Sequence, residues 1–260
     1  MRKNKLLRII LICLLIVSCG KKDDLFPTEK RYWNVADYEN VVRELKFGIK
    51  EYEKLPSLND PESKVVVEKL INTQNYEVVL DDNELGLKHK NEAAKGFFNV
   101  WKDMCSIYTA RDKTDKYLYD LEMVGVEKFG LGLQLRYFKL GNDELLADAD
   151  DPKSDNVLSN INANVNAMVR NFSLYLDNVN DEKAFSNAGL NSLIDGLDTF
   201  FPKLINTYPD SDYSEMETKI TLLVQKSKSE RIKTSLINIQ KLIDSKKKKE
   251  ITKINLQKKA

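Results

Sequence analysis

Apolar residues recur in steps of three and four along most of this chain, the spacing that gathers them on one face of an α-helix. Val35, Tyr38, Val42, Leu45, Ile49 and Tyr52 make the first such face, and Pro56 ends it. A second start follows at Asn59-Asp60-Pro61-Glu62, with Asp60 as N-cap, Pro61 at the first helical position and Glu62 in the first turn. Val66, Val67, Leu70 and Ile71 then face inward, and this helix fades near Tyr76–Leu80. The β-branched cluster Val65-Val66-Val67 suits a strand, but Glu68-Lys69 and the helical spacing argue against one.

Asp81-Asp82-Asn83-Glu84 signals another start. The stripe Ala93, Ala94, Phe97, Phe98, Trp101, Met104, Cys105 and Tyr108 follows it, the most hydrophobic in the chain and a face that must be buried. Tyr117 to Leu140 carries Leu121, Val124, Phe129, Leu133 and Phe138, interrupted by Gly125, Gly130 and Gly132, which predict a kink or a close helix crossing. Residues 141–156 read as an acidic turn region. Leu158, Ile161, Val165, Met168, Phe172, Tyr175 and Val179 make the next stripe, and Leu190, Leu193, Ile194, Leu197, Phe201 and Leu204 another, bent or ended at Pro202. Ser214-Glu215-Met216-Glu217 fits a capping box, opening one long helix through Ile220, Leu223, Ile232, Leu236, Ile239 and Ile243. About seven helices without a 20–50-residue repeat predict an all-α, single-domain antiparallel multi-helix bundle over residues 34–245.

The first residues follow a different rule. Arg2-Lys3-Asn4-Lys5 is basic, Leu6–Val17 is apolar except for Arg8, and Ile16-Val17-Ser18-Cys19 has the form of a bacterial lipobox. The twelve-residue run rises ~18 Å as a helix, whereas a bilayer core needs ~20 residues, so a cleaved signal fits better than a transmembrane anchor. Residues 1–18 are therefore expected to be removed, with Cys19 acylated and residues 19–33 forming the lipidated N-terminus and a polar tether. Each buried methylene contributes ~0.8 kcal/mol, so two or three acyl chains on one cysteine would hold the chain at a membrane.

Charge and cysteine content refine this reading. Residues 19–260 carry 37 basic and 40 acidic side chains, a net of −3, with aromatic content enough for a sizeable core. With Cys13 removed and Cys19 acylated, Cys105 stands alone, so no intramolecular disulfide is available and packing must hold the fold. The charge is unevenly spread. From Lys226 onward twelve basic residues face three acidic ones, a net of +9, which leaves −12 on residues 19–225. Lys246, Lys247, Lys248, Lys249 and Lys253, in the basic tail 246–260, are candidate contacts for a glycosaminoglycan or another polyanion. The alternative is a solvated helix end, where cations suit the dipole. For an exported chain, nucleic acid is not an expected partner.

Catalytic and metal motifs fail on inspection. His89 lies in the solvated run Lys88-His89-Lys90, and sixteen residues of helix separate it from Cys105 by ~24 Å. One histidine and one free cysteine exclude the usual zinc sets. Gly125, Gly130 and Gly132 lack the Lys-Ser/Thr of a phosphate loop. Asp148-Ala149-Asp150-Asp151-Pro152 puts Pro152 and Lys153 where an EF-hand needs a ligand and a glycine, leaving at most a weak surface calcium site. No catalytic residue, resident cofactor or metal is expected, and the chain reads as a non-enzyme.

The lipobox Ile16–Cys19, the short tether, the Lys-, Asn- and Ile-rich helical body and the lack of disulfides resemble the outer-surface lipoproteins of Borrelia spirochaetes. The resemblance covers the whole chain in architecture and composition, and its one motif is the lipobox. It implies an antigenic, surface-displayed lipoprotein of the outer membrane that binds a host protein. Members of that group bind complement regulators, plasminogen or matrix components. It transfers no binding residue. Gly20 agrees with export beyond the inner membrane. The alternative is a periplasm-facing structural or assembly lipoprotein that holds another envelope protein.

Overall fold

The computed structural model describes residues 26–50 and 53–257, with side chains described to Lys247. The signal 1–18, Cys19 and the side chains of Lys248, Lys249 and Lys253 lie outside the described residues. The described chain is an all-α bundle whose β structure is one isolated bridge, Arg111 to Tyr117. In order come α1 (Val35–Arg43), α2 (Lys64–Leu70), α3 (Gln74–Leu80), α4 (Leu87–Met104), α5 (Asp120–Ala147), α6 (Asp155–Tyr175), the single turn α7 (Asp177–Asn180), α8 (Asn187–Thr207), α9 (Ser214–Lys226) and α10 (Glu230–Gln257). No helix among the described residues is long and apolar enough to cross a membrane.

Helix α5 is the axis, packed by α4 on one side and by α6 and α8 on others; α1 and α3 back α4, while α10 lies on α8 and α9. Its apolar residues run round the cylinder, with Val124, Val126, Phe129, Leu131 and Leu133 all buried, as expected of a helix with neighbours on most sides. The glycines let those neighbours approach. A Cβ on Gly130 would overlap the Trp101 indole, and one on Gly132 would stand 2.7 Å from the Tyr76 hydroxyl. Of the two expectations for this stretch, the close crossing holds; α5 stays helical throughout.

Several boundaries differ from the sequence pattern, each for a local reason. The first helix gives way to a π turn, Glu44–Gly48, well before Pro56. Asp60 does not cap a helix. Its carboxylate accepts from the Glu62 amide and the Ser63 hydroxyl in a turn, and α2 starts only at Lys64. The expected single helix through Leu80 breaks in two because Asn75 intervenes. Its amide donates to the Lys69 carbonyl at 2.7 Å, the Tyr38 hydroxyl donates to the Leu70 carbonyl at 2.8 Å, and the end of α2 is thereby satisfied by side chains. Asp82 likewise makes a turn, and α4 begins after Gly86.

The expected turn region from 141 is helical as far as Ala147, with a Lys139–Asp143 pair bracketing one turn. Pro202 does not end α8. It removes the bond to the carbonyl of Asp198, an exposed residue, while buried Phe201, Leu204 and Ile205 hold the helix in place. The capping box at Ser214 does not form. Glu217 turns instead to Gln240 and Lys247 on α10, and the Asp212 carboxylate accepts from the Ser214 amide. The long final helix is a hairpin of α9 and α10, broken at Ser227–Ser229, where Glu182 accepts from the Ser227 hydroxyl and the Lys228 amide, each at 2.6 Å.

The tether is shorter than expected. Trp33 is fully buried, its indole donates to the Pro27 carbonyl at 2.9 Å, and Lys69 donates to the carbonyls of Lys30 and Arg31. Phe26 already packs on the core, so packing reaches back beyond residue 34 at least as far as Phe26.

Candidate functional site

A groove of about 630 Å³ lies between the C-terminal half of α5 and the N-terminal half of α6, with Asn91 of α4 also in its lining. It exists because α6 leaves the core at its start. Val165, Met168, Phe172 and Tyr175 are buried, but Leu158, expected to belong to the same inward stripe, is 44% exposed. The gap holds small and polar groups: Gly141 and Ala149 on one wall, Ala163 on the other.

Carboxamides dominate the α6 wall. Asn156, Asn160 and Asn164 stand at successive i, i+4 positions and line the groove. Asn is a weak helix former, costing up to ~0.7 kcal/mol per interior position relative to Ala, so this row lowers the stability of α6. Asn164 donates to the Asn142 carboxamide oxygen at 2.9 Å. Asn156 and Asn160 make no side-chain hydrogen bond to another described residue.

The facing wall presents Tyr137, Glu144 and Asp148. The Tyr137 ring stacks on Phe98 at 4.7 Å and 18°, which holds it in place. From α4, Asn91 donates to Glu144, while its own carboxamide oxygen is buried with no hydrogen-bond partner among the described residues. Gln134, fully buried one turn from Phe138 on the same face of α5, also leaves both carboxamide atoms unpartnered. The lining carries two carboxylates and no lysine or arginine. Such a surface can accept and donate hydrogen bonds to a polar partner, and its charge selects against anions.

The residues singled out from the sequence lie elsewhere. His89 is exposed near the start of α4, and Cys105 is partly buried at its end, where burial pushes the thiol up to about 12, far from a reactive thiolate. Among the described residues no three His, Cys, Asp or Glu side chains are placed to hold a metal; Asp151 spends a carboxylate oxygen on the Lys153 amide. Of the five candidate lysines, Lys247 is engaged by Glu217 on α9 and is therefore not a free cation, and Lys246 is half-buried on α10.

Sequence reasoning missed the groove, although the Asn spacing 156-160-164 was its visible signal. It also missed Glu127. This carboxylate accepts from the Asn178 amide at 2.7 Å, and burial raises it from the usual 4.5 to about 7. Comparison with family models, with curated proteins and with solved structures finds no match to this chain.

Proposed function

We propose that this chain is a lipid-anchored, surface-displayed bacterial lipoprotein that acts as a non-enzymatic binding and antigenic module of the outer membrane. The observation that carries the reading is Cys19, placed directly behind the apolar run and Ser18, only seven residues before the packed Phe26. Seven residues reach at most ~25 Å, so acyl chains on Cys19 would keep the body close to the bilayer. The groove between α5 and α6 and the basic end of α10 are the surfaces offered for contact, with a host protein or a glycosaminoglycan as partner. The resemblance to Borrelia surface lipoproteins points the same way.

Brief proteinase K treatment of intact cells tests display, read by immunoblot with a periplasmic control. Loss of the mature band is expected; its survival overturns surface display in favour of a periplasm-facing assembly role. Detergent-phase partition tests the anchor: wild type should enter the detergent phase and Cys19→Ala the aqueous phase.

A further inference from the structure

From the groove between α5 and α6 we infer a binding site for an extended polypeptide segment that carries lysine or arginine, a step that rests on reading the chain as a binding module. The first argument is spacing. Asn156, Asn160 and Asn164 repeat every four helical residues, about 6 Å along α6. In an extended chain the backbone groups pointing to one side repeat every two residues, about 6.6–6.8 Å. A carboxamide offers one acceptor and two donors, the complement of the N–H and C=O that such a residue presents. The row spans about 12 Å, enough for some four extended residues.

The second argument is polar need. Asn156 and Asn160 are exposed and open to a partner, and the buried oxygen of Asn91 lacks a donor among the described residues. Main-chain or ammonium N–H groups would supply it. The third is charge. Glu144 and Asp148 are the charged residues in the lining, with no lysine or arginine among them, which favours a basic side chain on the segment. Main-chain pairing would give the site its affinity, and the carboxylates its preference.

The test uses the detergent-solubilised full chain and a fluorescein-labelled, end-blocked peptide of three Lys-Thr repeats, followed by anisotropy. Saturable binding is expected, about tenfold weaker in N156A/N160A and in E144Q/D148N, with no binding of the matching Glu-Thr peptide. Replacing asparagine by alanine within a helix should leave the melting temperature unchanged or higher, so lost binding there is not lost folding. Absence of lysine-peptide binding overturns the inference, as does binding unchanged in both double variants. Displacement of the peptide by a neutral N-acetylglucosamine oligomer overturns it in favour of a glycan. Failure of any of these kinds, with detergent partition and cell-surface cleavage intact, removes the ligand class alone. Failure of partition removes the anchored-module reading.

Discussion

Around its N-terminal half α5 meets a cluster of aromatic rings, and around its C-terminal half, beside the Tyr137–Phe98 stack, it meets carboxamides. Phe129 packs against Tyr76 at 5.0 Å and Tyr38 at 5.8 Å, and Phe97 meets Tyr38 edge-on at 5.7 Å. The Tyr38 hydroxyl and Asn75 in that cluster are paired: Asn75 donates to the Tyr38 hydroxyl, which donates to Leu70, and Asn75 accepts from the Trp33 amide. About one and a half turns further along α5, Gln134 leaves buried carboxamide atoms unpaired, as does Asn91 across from it on α4, and the start of α6 stands away from the core. Burial of apolar area stabilises the first region, and the second gives up some of that stability for an accessible polar surface. Sites that break local rules in this way are where binding is expected.

The contrast predicts opposite responses to substitution. Phe97→Ala should have the largest effect, a loss of ~3–5 kcal/mol in guanidinium denaturation, because the ring is buried among packed aromatics that cannot collapse fully. A loss no larger than that of an exposed residue would show the aromatic cluster to be loosely packed.

Glu127, two residues before Phe129 on α5 and bonded to Asn178, has an effect that depends on pH. Its folded pKa is raised from 4.5 to about 7, so the folded state holds a proton that the unfolded state releases. That contribution is fully present below pH 4.5 and is lost as pH rises through about 7. Glu127→Gln, which keeps an acceptor for Asn178, should therefore stabilise the protein by up to ~3 kcal/mol at pH 8 and leave it nearly unchanged at pH 4. Equal stability of the two proteins across that range would contradict the burial of this carboxyl.

On the groove side, Gln134→Met should raise stability by ~1–2 kcal/mol, since a near-isosteric apolar side chain removes two unpaired buried polar atoms. A destabilisation there would reveal an ordered water or ligand satisfying the carboxamide. The smallest effect belongs to Asn160→Ala, a gain of a few tenths of a kcal/mol from helix propensity.

Much of this was legible in the chain. Tyr38, Phe97, Phe129, Leu133, Met168, Phe172, Leu197 and Phe201 were all assigned inward by spacing, and all are buried. Spacing succeeds there because a helix in a bundle has one continuous side facing apolar neighbours. It failed at Leu158, which follows the same period but is left 44% exposed. Periodicity records which side of a helix is apolar, not whether another element arrives to cover it. For the same reason the asparagine row was visible as composition but not as a wall of a groove.

The sequence by itself determined the helical class and the inward stripes, because each depends on residues a few positions apart. Tertiary structure decided where helices stop and where they persist. Asn75 ends α2 by reaching its last carbonyls, and Glu182 holds the break between α9 and α10 from 45 residues away. Pro202 is overridden by the buried residues around it. The groove also belongs to the tertiary structure: it is the space left where α6 diverges from α5, and no residue carries that divergence alone.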